Sequence, residues 1–257
     1  WLIRSGCLQE LLLTGLLRAS RDEQPTRHCA CQGIVQLCIQ AGRKWLRRRP
    51  FTSPRVVWAA TTMVRDGDYH QSHQRQSFID SGEAREHGLV LLLYISATPH
   101  GRVLVGNGTT VECIVETAFH CTNAKKYGGP PNAQRLLELC VKALVNLCCG
   151  IGSGVLQTPR DPQSKRAKRL DDEGSMQAYE SELTRRSKIF AQISNKGLVE
   201  RIVLLADQVR QEDLKVELGS VVASLVMAEE VSYEDVEMSG AVPLLLRLTH
   251  IDPGAHN

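Results

Sequence analysis

An all-α fold, arranged as a right-handed α-solenoid, is what this amino-acid sequence predicts. Leu and Val abound while aromatic residues make up only 5% of the chain, a balance that suits stacked helices better than aromatic-rich, alternating strands. A glycine followed by an amphipathic helix recurs in four places, the mark of an internal repeat. The 257 residues include 42% hydrophobic side chains, ample material for a core, which argues against disorder of the whole.

The four strings are Ser5-Gly6-Cys7-Leu8-Gln9-Glu10-Leu11-Leu12, Asn107-Gly108-Thr109-Thr110-Val111-Glu112-Cys113-Ile114-Val115, Lys196-Gly197-Leu198-Val199-Glu200-Arg201-Ile202-Val203 and Ser239-Gly240-Ala241-Val242-Pro243-Leu244-Leu245-Leu246. In each, glycine can adopt the positive φ that ends one helix, and apolar residues three and four apart then build the buried face of the next. Between the first two strings, Pro54 and a helix from Arg55 to Val64 stand where a glycine corner is expected, and Leu8 to Val56 spans 48 residues. The run Leu89 to Ile95 is the longest apolar stretch, far short of the roughly 20 residues a membrane span needs. A helix from Ala133 to Cys149 turns Leu136, Leu137, Cys140, Ala143, Leu144 and Leu147 inward. Residues 150–178 read as a polar loop insertion, opening with Gly, Ser and Pro and carrying Lys165-Arg166-Ala167-Lys168-Arg169 ahead of Asp171-Asp172-Glu173. The last repeat has a middle helix from Asp213 to Ala228, with Val216, Gly219, Val222, Ala223 and Val226 on its small, apolar face. The chain starts at Trp1 rather than Met, so residues 1–257 are read as one segment of a longer protein, about four repeats with the first partial.

Gly197 and Gly240 stand 43 residues apart, inside the roughly 40–47 of an armadillo or HEAT unit. The junction Leu92-Leu93-Tyr94-Ile95-Ser96-Ala97-Thr98-Pro99-His100-Gly101-Arg102-Val103-Leu104-Val105-Gly106-Asn107-Gly108 closely resembles that of the armadillo-repeat family, where a Leu-rich helix ends in a Ser- and Pro-containing turn before an Arg, an apolar pair and the glycine corner. Within that family, the order of Arg43-Lys44-Trp45-Leu46, Trp58, Ala143-Leu144-Val145-Asn146, the insertion and Arg185-Arg186-Ser187-Lys188-Ile189 resembles the UCS-domain myosin chaperones. The resemblance implies an armadillo/HEAT-like solenoid without catalytic chemistry, engaging myosin motor domains. It also implies that third helices line a concave face. Glu10, Trp58, Thr62, Glu112, Glu116 and Glu200 are the partner-contact candidates taken to lie there. Importin-type grooves place an Asn four residues after such a Trp, and Thr62 follows Trp58 here. An armadillo scaffold in a cytoskeletal, ciliary or transport assembly is the alternative, and an enzyme with an unrecognised site the remote one.

The 31 basic and 28 acidic side chains nearly cancel, leaving +3, too little concentrated charge for nucleic acid as the main partner. No Gly-x-Ser-x-Gly elbow, phosphate loop or His-Glu-x-x-His pair is present, so no catalytic residue, cofactor or small-molecule substrate is assigned. Gly150-Ile151-Gly152-Ser153-Gly154 follows a helix rather than a strand and lacks the phosphate-binding Lys, so it is read as a linker. Cys29 and Cys31 would point about 200° apart on a helix, and with His28 and His120-Cys121 they form no zinc set; no metal is assigned. Cysteines set in apolar helical patterns, among them Cys7, Cys38, Cys113, Cys140 and Cys148, suit a reduced cytoplasmic protein. The Lys165 to Arg169 run reads as a solvated loop balanced by the acids after it, with a nuclear-import signal as the other reading.

Overall fold

A computed structural model describes residues 7–18, 24–41, 52–66, 81–124, 130–149 and 172–249. Among them are twelve helices and no strand: α1 (Cys7–Arg18), α2 (Gln24–Ala41), α3 (Pro54–Asp66), α4 (Ser81–Ser96), α5 (Pro99–Val105), α6 (Gly108–Thr122), α7 (Ala133–Cys148), α8 (Asp172–Asn195), α9 (Leu198–Gln208), α10 (Glu212–Val226), α11 (Tyr233–Ser239) and α12 (Ala241–Thr249). The fold is all-α, as the composition and periodicity predict.

Local chemistry places the helix starts. Thr98 caps α5 by accepting a hydrogen bond from the Gly101 amide, with Pro99 in the first turn, where its missing N–H costs nothing. Asn107 caps α6 through the Thr110 amide at 3.0 Å, and Ser232 caps α11 through that of Asp235, also at 3.0 Å. Two of the expected glycine corners are left-handed: Gly197 has φ 63° between α8 and α9, and Gly240 has φ 72° between α11 and α12. Gly108 is different. Asn107 makes that turn, and Gly108 is the first residue of α6, where a Cβ would stand 2.7 Å from Lys196 Cγ. Gly6 lies outside the described residues.

Two ladders of helices organise the packing. Along the first, α1 packs on α3, α3 on α6, α6 on α9, and α9 on α12. Along the second, α2 packs on α4, α4 on α7, and α7 on α10. The helices α5, α8 and α11 lead into α6, α9 and α12 in turn. Side-chain bonds show that α4 and α7 of the second ladder run parallel. Asn132 reaches the Gly82 carbonyl and Asn146 the Ser96 hydroxyl, each bond spanning 50 residues at opposite ends of α4 and α7. In the first ladder Thr61 meets Thr110, 49 residues on, so α3 and α6 are displaced by the same step. Farther along, the step shortens in two places together: Asp207 to Arg247 spans 40 residues and Ser194 to Asp235 spans 41.

The core lies between the ladders. All six residues expected to turn inward on α7 are buried, and α7 also hides Leu139, Val141, Val145 and Asn146 because α4, α6 and α10 cover it from different sides. Gly88 lets α4 approach α3: a Cβ there would come within 2.9 Å of the Ala60 carbonyl. On α10 the expected apolar face is only partly right. Gly219 and Val222 are buried, whereas Val216 is exposed, since α7 and α12 cover other sides of the helix. The stretch read as a loop over 150–178 is helical from Asp172 onward, and residues 150–171 lie outside the described part. No helix among the described residues is long and apolar enough to cross a membrane.

Candidate partner-binding surface

The candidate contact residues fall on the first ladder at matching positions. Aligned on their buried pairs, α3, α6 and α9 place Trp58, Glu112 and Glu200 at one register position, with Thr62 and Glu116 one turn later on α3 and α6, while Glu10 lies on α1. Trp58 is 60% exposed, so its ring is a surface feature rather than a core one. Thr62 is corrected from open face to interior: it is buried, and its hydroxyl donates to the Trp58 carbonyl at 2.9 Å. Thr does this where its side chain cannot reach water, and the bond leaves no donor for a partner.

Glu112 is tied across to the turn between α8 and α9, and Glu116 to α9 itself. Lys196 lies 3.9 Å from Glu112, and Arg201 lies 3.5 Å from Glu116 while stacking over Phe119 at 5.9 Å. These carboxylates are a third to a half exposed, so each pair contributes about 0–1 kcal/mol and leaves the oxygens open to exchange. Glu10 and Glu200 are exposed.

In chain order α6 lies between α5 and α7, and α9 between α8 and α10. The helices α4, α7 and α10 belong to the second ladder. These helices leave pairs of positions one turn apart half-buried or exposed: Val90 and Tyr94, Glu138 and Lys142, Val216 and Ser220. Glu217 belongs to the same neighbourhood. Burial raises its carboxyl pKa, Lys142 opposes the shift, and Asp213 and Glu138 add to it. Its Oε2 is buried without a hydrogen-bond partner.

Other motifs resolve into packing. Asn146, from the Ala-Leu-Val-Asn string, is buried and donates to Ser96 Oγ at 3.2 Å, while Ser96 donates to the Leu93 carbonyl at 2.9 Å. It pins the end of α7 to the end of α4. Cys31 is buried and Cys29 exposed, as opposite faces of one helix require. Burial pushes the thiols of Cys31 and Cys38 up to about 12 and that of Cys113 to about 11, leaving them protonated at neutral pH and poor nucleophiles. Among the described residues no three His, Cys, Asp or Glu side chains gather as a metal would require. Arg43 to Arg49 with Trp45, the Gly150 to Gly154 string and the Lys165 to Arg169 run lie outside the described residues. Comparison of the chain with family models, with curated proteins and with solved structures found no match.

Proposed function

We propose that the chain is a stretch of armadillo-type right-handed α-solenoid that binds a protein partner, and that the partner is a myosin motor domain, as for UCS-type chaperones. One observation carries the solenoid reading: helices pack in order along two ladders, with steps of about 50 residues from α3 to α6 and α4 to α7, a longer step of 85 from Glu116 to Arg201, and 40 from Asp207 to Arg247. A unit that buries its apolar face only against its neighbours leaves a long surface for a partner, so binding rather than chemistry is the function. The UCS resemblance supplies the motor domain and, with it, a cytoplasmic setting.

The partner face in this proposal is that of the second ladder, with Tyr94, Glu138, Lys142 and Val216 forming a mixed apolar and charged strip. Glu217 adds a buried acceptor that a donor on the partner can satisfy. The test is a binding titration of the 257-residue protein with a purified myosin motor domain. Lys142→Glu is expected to weaken binding at least tenfold, and Glu200→Ala to change it less than twofold, both with unchanged melting. A loss on Glu200→Ala alone moves the face to the first ladder. Absence of binding to any motor domain, with tubulin-based or transport components recovered instead, replaces the chaperone reading by the scaffold alternative.

A further inference from the structure

His28 of α2 and His87 of α4 meet where these two helices pack, ring edge against ring face, with centroids 4.8 Å apart and planes at 85°. One turn on from His28, the Cys31 thiol donates to the His87 carbonyl at 3.5 Å, so the helices stay close along this stretch. The Nδ1 atom of each ring is buried and has no hydrogen-bond partner. A neutral imidazole can leave one nitrogen bare, whereas an imidazolium carries a proton on both. Charging either ring therefore puts an N–H donor at a buried position where nothing accepts it. Charging both adds repulsion between like charges.

Charged groups on the elements packed here offer little relief. On α1, Glu10 is exposed. On α3, Asp66 is engaged by Arg65 at 3.1 Å. On α4, Glu86 accepts from Asn132 at 2.9 Å and pairs with Arg135 of α7, which also holds Glu138. Arg27 and Arg85, buried on α2 and α4, bring positive charge only. Burial and then His87 hold the His28 pKa below its usual 6.5, and the exposed Glu83 carboxylate opposes them without prevailing.

We infer that the seam between α2 and α4 is an acid-sensitive joint, in which protonation of the His28 and His87 pair releases α2 from α4 locally while the seam between α4 and α7 holds. The second seam is tied at its ends by the side-chain amides of Asn132 and Asn146, which do not take up protons in this range. A proton refused by the closed joint and accepted by the open one makes opening easier as pH falls below about 6.5, by at most about tenfold per pH unit for one proton. Local opening of this kind leaves the rest of a fold protected. The joint is a property of the helix packing and is independent of the partner the chain binds.

Hydrogen exchange of the 257-residue chain read by mass spectrometry at pH 7.5, 6.5 and 5.5, with each rate divided by the intrinsic chemical rate at that pH, measures the opening. Protection across Gln24–Ala41 is expected to fall about tenfold from pH 7.5 to pH 5.5, and protection across Ala133–Cys148 to change less than threefold. His28→Leu and His87→Leu are each expected to flatten the fall in α2. Glu83→Gln alters an exposed side chain and keeps the readout available where a histidine variant fails to fold. Without that carboxylate the closed joint refuses the proton more strongly, so the fall in α2 is expected to be larger than in the wild type. The inference is overturned by protection in α2 that does not change with pH, by an equal fall in α7, by an undiminished fall in folded His28→Leu and His87→Leu proteins, or by a smaller fall in Glu83→Gln.

Discussion

Two joints of the second ladder do the same structural task with opposite chemistry. Between α4 and α7 side-chain hydrogen bonds sit at the two ends of the seam, where Asn132 donates to the Gly82 carbonyl and to Glu86 at 2.9 Å and Asn146 donates to Ser96. Between α2 and α4 two imidazoles meet inside the seam. His28 and His87 lie edge to face with centroids 4.8 Å apart, and the Nδ1 atom of each is buried without a hydrogen-bond partner. Beside them the Cys31 thiol donates weakly to the His87 carbonyl at 3.5 Å. Polar groups at a rim can be satisfied while the interior stays dry, whereas unpartnered polar groups inside resist becoming charged, because desolvation penalises the charged form.

The comparison is broken most severely at the dry joint. Leu144→Ala removes a fully buried side chain from α7 and is expected to lower unfolding free energy by about 2–5 kcal/mol, read from the urea midpoint at unchanged slope. A change under about 1 kcal/mol would mean that the α4 to α7 region is loosely packed. A smaller loss is expected at the corners. Gly240→Val places a β-branched residue at φ 72° with open space around its Cβ, so backbone strain alone acts, about 1–3 kcal/mol. Gly197→Val is expected to match it, since Gly197 has the same hand and the same free space. A silent substitution at either site would remove the left-handed corner there.

The polar joint sharpens the comparison through pH. Burial lowers the pKa of His28 below its usual 6.5, His87 lowers it further, and Glu83 opposes both. The unfolded chain then takes up a proton that the folded chain refuses, so the stability associated with this group is present above about pH 6.5 and is lost as pH falls toward the folded value. Melting temperature is expected to fall across that window, and His28→Leu to flatten the fall, an effect smaller than either substitution above. An identical pH profile for the variant would show that the His28 and His87 contact is not where acid acts.

Most helices were legible from spacing alone. The pattern of α7 identified all six of its expected inward residues, and the glycine at each of two corners pointed to positive φ, because both features depend on the chain within a few residues. Gly108 misled because the sequence around it, Asn-Gly-Thr-Thr, supports either a left-handed glycine or an asparagine cap, and the Lys196 side chain packed beside it comes from a distant helix. The surface was less legible. Trp58 and Thr62 are one turn apart on the same helix, yet one is exposed and the other folds its hydroxyl onto its own backbone.

By itself, the sequence determined that the chain is helical, that Gly197 and Gly240 turn the chain and which stripe of α7 is apolar, since 3.6-residue periodicity and glycine's left-handed freedom are local properties. Only the tertiary structure decided which apolar positions are covered. Val199 and Val242 carry the same residue at the same register, and one is buried while the other is open solely because α12 lies over α9 and no described helix lies over α12 in that ladder. The tertiary structure also decided that Asn146 serves packing, buried with its amide on Ser96. Burial is a relation between segments far apart in the chain, and no window of local sequence contains it.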